Sequence, residues 1–170
     1  FLFFVSSNNI VEKTRDNFLN ASSSKYLFAS VININGKKVE VKEVNNFQCT
    51  DPNCINLCLT TIQGLHTDLN AEKENAVTYE DFATEPIVLI ADEAHHLNVE
   101  TKKKRSDKEK ENVENWERTI KNIFQKDNGK LPNVLLEFTA TMDLADSAIA
   151  HKYEDKIFSD ASLKRVCGVG

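Results

Sequence analysis

Residues 86–98, "PIVLIADEAHHLN", place a run of apolar side chains directly before an acid pair, Asp92 and Glu93. An adjacent aspartate and glutamate can divide the work of a hydrolysis reaction. One carboxylate holds a hard cation such as Mg²⁺, directly or through its water, and the other orients an attacking water molecule. Hydrolysis of a nucleoside triphosphate requires both. The segment therefore predicts such a site at the end of a buried strand.

The same residues allow two other interpretations. An Asp-Glu pair after a strand is common in plain surface turns, where it has no chemical role. Asp92, His95 and His96 could instead supply zinc ligands, although no further element offers a convincing partner.

A second polar edge follows another apolar run. Residues 134–141, "VLLEFTAT", end in Thr139 and Thr141. Ligands of open parallel sheets bind at the carboxyl ends of the strands, so these threonines and the acid pair are expected to flank one site. The alternative for the threonines is that they cap the start of a helix.

The elements that must position these residues alternate between strands and helices. Apolar runs predict strands at 1–5, 55–59, 87–91 and 134–138, and we expect the last two to be central, neighbouring and parallel, with both faces covered. Helices are predicted after Ser7 or Asn8, near Thr61, around Trp116 and at 145–150. Asn35-Gly36 between alternating runs predicts a β-hairpin near residues 31–42. We also expect a polar loop at 71–85 and a strand at 156–158. The fold class is α/β, with a mostly parallel sheet flanked by helices.

The composition of the chain excludes some classes of function. With 170 residues, of which 41% are hydrophobic, the chain suits one domain, and its net charge of −5 excludes a domain that is basic all over. Any nucleic-acid contact must then be a local groove. The Lys/Glu-rich residues 100–114 are expected to be a solvated helix face or insertion, with a phosphate contact at 102–105 as the alternative. No run approaches the roughly 20 apolar residues of a membrane span.

The cysteines, at positions 49, 54, 58 and 167, are expected to be reduced thiols. Cys49, Cys54 and Cys58 lie near His66, but their spacing departs from the paired C-x2-C of zinc ribbons. We therefore expect small buried side chains rather than a structural zinc site.

Several motifs together resemble a known family. "LIADEAHHL" resembles the Walker B or DEAH box of superfamily-two helicases, and "LEFTAT" resembles their third motif. "FLFFVSSNNIVEKT" resembles their first DNA-contacting motif, and "LCLTTIQGL" resembles the Thr-Thr-x-Gln segment before the DEAH strand. "HKYEDKIFSDASLKR" resembles the stretch after motif three in the helicase-translocase (Res) subunits of type III restriction enzymes. The resemblance covers almost the whole chain.

The resemblance implies a RecA-like P-loop NTPase domain that uses ATP and Mg²⁺ and acts on DNA. Asp92 would coordinate Mg²⁺, Glu93 would polarise the attacking water, and His95 would link the nucleotide site to the next motif. Residues implied to couple hydrolysis to movement are Thr139, Ala140 and Thr141. Residues implied to contact the sugar-phosphate backbone are Ser6, Ser7, Thr60, Thr61 and Gln63; each could instead be an ordinary helix cap.

The sequence departs from the family pattern in several places. The sequence contains no G-x-x-x-x-G-K-[ST] loop, which we expect upstream of Phe1, and we expect the second motor domain beyond Gly170. Residues 1–170 would then be part of a first motor domain, inactive alone. No nuclease signature is present, and Ser6 and Ser7 lie where relatives often have proline.

A methyltransferase (Mod) subunit is an expected partner, a membrane is not, and the cytoplasm is the expected location. The alternatives are a stand-alone DEAD/DEAH helicase of DNA repair or RNA handling, and a non-enzymatic nucleic-acid-binding module.

Overall fold

Strands and helices alternate along the chain in the computed structural model, which describes residues 1–28, 32–71, 74–94, 107–125, 132–140 and 147–157. The strands are β1 (Leu2–Val5), β2 (Ile32–Ile34), β3 (Lys37–Glu43), β4 (Cys54–Thr61), β5 (Val88–Ala91) and β6 (Val134–Glu137). The helices are α1 (Asn8–Leu19), α2 (Ile62–Asn70), α3 (Tyr79–Thr84), α4 (Asp107–Phe124) and α5 (Ser147–Lys152).

The six strands form one sheet in the order β2-β3-β4-β1-β5-β6. Every neighbouring pair is parallel except β2 and β3. That antiparallel pair is the predicted hairpin, and its turn places Asn35 and Gly36 at φ values of 52° and 79°. Asparagine and glycine are the residues that tolerate positive φ most readily, which is why they mark this turn. The predicted α/β fold with a mostly parallel sheet is confirmed.

Two apolar clusters lie on the sheet. One combines Leu57 and Leu59 of β4 with Val11 of α1. The larger cluster is formed by residues of β1, β4 and β5 together with α2, α3 and α4: Leu2, Phe4, Cys58, Ile62, Leu65, Phe82, Leu89, Ala91 and Ile123 are among its members. Helices therefore pack against the apolar strands, as predicted from the lack of polar–apolar alternation in those strands.

The predicted polar loop at 71–85 is wrong in part, because α3 lies within it. Thr78 and Asp81 form a capping box, in which the Thr78 amide donates to Asp81 Oδ2 at 2.8 Å. The helix also inserts Phe82, which is completely buried, into the larger cluster. A reciprocal cap and one deeply buried aromatic ring stabilise a helix too short to show a periodic pattern.

The prediction for the strand at 134–138 is only half right. β6 is parallel to β5 and next to it, but it ends the sheet of the described residues instead of lying at its centre. Leu135 packs against the larger cluster, whereas Val134, Leu136 and Phe138 are 42%, 43% and 55% exposed. Apolar composition alone predicted burial on both faces, and β6 is buried on one.

Two smaller expectations also differ from the structure. Lys156 and Ile157 are not in a strand, and Phe158 lies outside the described residues. Cys58 is buried, as expected, but Cys49 is exposed and Cys54 is only partly covered. No helix in the described parts of the chain has both the length and the apolar character needed to cross a membrane.

Candidate functional site

Four parallel strands, β4, β1, β5 and β6, end at the same edge of the sheet. The register pairs Val5 with Thr61, Phe4 with Ala91, and Ala91 with Glu137. The predicted site residues that lie at or just beyond these strand ends are Ser6, Ser7, Thr60, Thr61, Asp92, Glu93, Thr139 and Ala140. Residues separated by more than 130 positions are thus brought to one edge, which is where parallel sheets bind ligands.

The acid pair lies in a turn that is tied to the neighbouring strand. The Asp92 amide donates to the carbonyl oxygen of Phe4 in β1 at 3.2 Å. The Asp92 carboxylate accepts from the Glu93 amide at 2.9 Å, and Glu93 adopts a φ of 54°. A left-handed backbone costs a residue with a Cβ about 1–2 kcal/mol, so the fold holds Glu93 in an unfavourable conformation.

The next residue joins this turn to β6. The Phe138 amide donates to the Ala91 carbonyl at 2.8 Å, and the Ala94 amide donates to the Phe138 carbonyl at 2.9 Å. Ala94 is completely buried. Thr139 and Ala140, directly after Phe138, are half-buried and exposed, respectively. The acid-pair turn and the start of the "TAT" segment are therefore held together by backbone hydrogen bonds. His95, His96 and Thr141 lie outside the described residues.

The hydroxyl residues at the ends of β1 and β4 differ in what they do. Thr61 caps α2, because its Oγ1 accepts from the Gly64 amide at 2.9 Å. The Thr60 hydroxyl donates to the Thr61 carbonyl at 3.3 Å. Ser7 lies at the N-cap position of α1, but its side chain makes no capping hydrogen bond, and Ser6 is exposed. Helix capping therefore accounts for Thr61 but not for the Ser7 hydroxyl.

Gln63, the remaining residue of this predicted set, lies in the first turn of α2 and is exposed. Its position leaves it on the same edge of the sheet as Thr60 and Thr61.

Among the residues that the structure describes, no three histidine, cysteine, aspartate or glutamate side chains lie close enough together to hold a metal ion. His66 Nδ1 lies 2.7 Å from Thr119 Oγ1 in α4 and therefore joins two helices. Burial raises the pKa of the Cys58 thiol to about 12. The set of Asp92, His95 and His96 lies partly outside the described residues.

Sequence reasoning missed Glu137, the last residue of β6, which lies opposite Ala91 and next to the acid-pair turn. Tyr153 donates to its Oε1 at 3.3 Å, and burial raises its pKa. Nearby, Lys152 pairs with Glu117 at 2.6 Å and so joins α5 to α4. The available signal was a single charged residue inside the otherwise apolar "VLLEF".

Similarity to known proteins identifies the family to which the chain belongs. The family model described as "Type III restriction enzyme, res subunit" matches residues 1–144. The chain belongs to this Res family. It is also 36% identical, over 96% of its length, to the "Probable type III restriction-modification enzyme HindVIP Res subunit" of Haemophilus influenzae. No solved structure matches the chain.

The Res-family chain spans about a third, 34%, of the length of that Haemophilus relative. The matched residues 1–144 include every predicted site residue, from Ser6 to Thr141. Family membership thus agrees with the resemblance carried by the motifs. The chain is therefore a Res-like helicase segment with a mostly parallel α/β sheet.

Proposed function

We propose that these residues form part of the first motor domain of an ATP-dependent DNA translocase, the Res subunit of a type III restriction enzyme. The observation that carries the proposal is the acid-pair turn, whose backbone is tied to β1 through Phe4 and to β6 through Phe138. Two backbone anchors hold Asp92 and Glu93 at the ligand-binding edge of a parallel sheet. Glu93 has a left-handed φ of 54° in this turn, a backbone conformation that occurs both in ordinary turns and at ligand-binding sites.

In this proposal the two carboxylates have separate tasks. Asp92 supplies hard oxygen donors of the kind that Mg²⁺ prefers, and its partial burial suits a metal that keeps part of its water shell. Bound Mg²⁺ would neutralise charge on the phosphates of ATP. Glu93 would accept a hydrogen bond from the attacking water and orient it toward the γ-phosphate. His95 would link this site to the Thr139–Ala140–Thr141 segment.

The same edge of the sheet contains a route by which ATP hydrolysis would be coupled to movement on DNA. The Ala94–Phe138 hydrogen bond joins the residue after Glu93 to the residue before Thr139. A shift of the acid pair would therefore be transmitted to Thr139 through this hydrogen bond and the peptide bond between Phe138 and Thr139. Thr139, Ala140 and Thr141 would convert hydrolysis into movement on DNA, while Ser6, Ser7, Thr60, Thr61 and Gln63 would contact the sugar-phosphate backbone irrespective of sequence.

The remaining parts of the motor would come from elsewhere in the protein. No phosphate-cradling G-x-x-x-x-G-K-[ST] loop occurs in these 170 residues, and the Haemophilus relative is about three times as long. We propose that the loop and a second motor domain lie in the rest of the protein, and that a Mod methyltransferase subunit and DNA are the partners. Residues 1–170 alone would not turn over ATP.

The test is Glu93→Gln in the full-length protein, with ATP hydrolysis and ATP binding measured together. Loss of a group that acts mainly in the transition state should lower hydrolysis by about 100-fold or more while binding is kept. Glu80→Gln, the same change at an exposed position of α3, is the matched control. Near-normal hydrolysis by Glu93→Gln would mean that the acid pair is a surface turn.

A further inference from the structure

Two hydroxyl groups lie over the first turn of α2, in the space where residue 64 has no side chain. A Cβ atom built on Gly64 would lie 2.8 Å from Thr60 Oγ1 and 3.1 Å from Thr61 Oγ1. Carbon atoms in contact are about 3.5–4.0 Å apart, and contacts to oxygen are only slightly shorter. The two hydroxyls therefore occupy volume that any other residue at position 64 would need.

Backbone conformation does not explain this glycine. Gly64 lies within a regular helix, and among the described residues only Gly36 is a glycine with positive φ. Glycine inside a helix costs about 1 kcal/mol relative to alanine. What position 64 requires is the absence of a Cβ, so that the Thr60 and Thr61 hydroxyls can lie against the first turn of α2.

We infer that Gly64 is a positioning residue, which holds the Thr60 hydroxyl in place for contact with the DNA backbone. The inference rests on the proposed function, in which Thr60 and Thr61 contact phosphates. Thr61 is already held by the cap it forms with the Gly64 amide at 2.9 Å. Thr60 has only a 3.3 Å hydrogen bond to the Thr61 carbonyl, and it makes the closer approach to residue 64. A Cβ there would turn Thr60 to another χ1 rotamer and carry its hydroxyl away.

The experiment is a double-mutant cycle in the full-length protein, with Gly64→Ala, Thr60→Ala and both changes together. The equilibrium dissociation constant is measured on a fluorescent DNA duplex of arbitrary sequence at one fixed salt concentration. A lost hydrogen bond to a charged phosphate should weaken binding by roughly tenfold in each single variant. The double variant should bind no more weakly than Thr60→Ala, because Gly64 acts through that hydroxyl.

A melting temperature measured on each variant separates this role from a general loss of structure. In the Thr60→Ala background the closer of the two hydroxyls is gone and only the 3.1 Å approach of Thr61 Oγ1 remains, so Gly64→Ala should lower the melting temperature less than it does when Thr60 is present. Thr67→Ala is the matched control, since Thr67 is exposed on the same helix and its hydroxyl donates only to the Gln63 carbonyl, at 2.8 Å. The control should bind DNA normally.

The outcomes that overturn the inference are distinct. If Gly64→Ala binds DNA normally while Thr60→Ala does not, Gly64 positions nothing and the proposed DNA contact still holds. If Gly64→Ala weakens binding further in the Thr60→Ala background, it acts by another route. If Thr60→Ala binds DNA normally, the proposed Thr60 contact itself fails, and the role of Gly64 fails with it.

Discussion

The amide nitrogen of Ala94 lies 2.9 Å from the carbonyl oxygen of Phe138. Ala94 follows the acid pair and Phe138 precedes Thr139, so one hydrogen bond joins two segments that are 44 positions apart in the sequence. Since Ala94 is completely buried, this bond is shielded from water. It anchors the end of the turn between Ala91 and Ala94, in which Glu93 has a left-handed φ of 54°.

That left-handed conformation leads to a prediction about stability and activity. Glu93→Gly removes a conformational cost of about 1–2 kcal/mol and adds about 0.5–1 kcal/mol of backbone entropy loss, so the free energy of unfolding should rise by roughly 0.5–1 kcal/mol. ATP hydrolysis by the full-length variant should be lost. Urea unfolding of residues 1–170 measures the first effect.

Glu80→Gly, the same change at an exposed position inside α3, should have the opposite sign and lower the free energy of unfolding by about 1 kcal/mol. If Glu93→Gly is as destabilising as this control, the φ of Glu93 is not a source of strain.

The start of β5 depends on another side chain, Asn133. Its Oδ1 accepts from the Ile87 amide at 2.8 Å, and its Nδ2 donates to the Phe82 carbonyl at 3.1 Å. Because Asn133 is buried, Asn133→Ala would leave both backbone groups without these partners, at about 1–3 kcal/mol each. The free energy of unfolding should fall by about 2–6 kcal/mol in a denaturant titration.

Asn53→Ala supplies the comparison, since Asn53 is exposed and its side chain makes only a 3.4 Å hydrogen bond to Asp51. Its effect should remain within about 0.5 kcal/mol. An equally small effect at Asn133 would mean that water replaces its side chain and that β5 does not depend on it.

These contacts show where sequence reasoning succeeds and where it stops. Strands β1, β4 and β5 could be predicted because apolar runs indicate burial, and the location of Asp92 and Glu93 followed from the rule that parallel strands end at one edge. The edge position of β6 could not be predicted, because the number of neighbours of a strand is set by topology. The role of Asn133 was missed for the same reason, because it depends on contacts with Ile87 and Phe82, which are distant in sequence. The role of Gly64 was missed because it depends on where the hydroxyls of Thr60 and Thr61 lie in space.

Glu137 provides a test that depends on pH. Burial raises the pKa of its carboxyl, while the Lys152 ammonium and the hydrogen bond from Tyr153 lower it by less. A carboxyl with a higher pKa in the folded than in the unfolded protein binds its proton more tightly when folded. It therefore contributes stability below its unfolded pKa of about 4.3, and this contribution is lost as the pH rises through the folded-state pKa.

Glu137→Gln keeps the shape of the side chain and removes its ionisation, so the variant should gain stability relative to the parent as the pH rises from about 4 to 7. Urea unfolding of both proteins at several pH values measures this difference in the free energy of unfolding. Glu80→Gln on the surface of α3 reports the effect of the same substitution outside this cluster. A difference for Glu137→Gln that stays constant with pH would mean that Lys152 and Tyr153 stabilise the ionised carboxylate as much as burial destabilises it, and a difference that falls would mean that they stabilise it more.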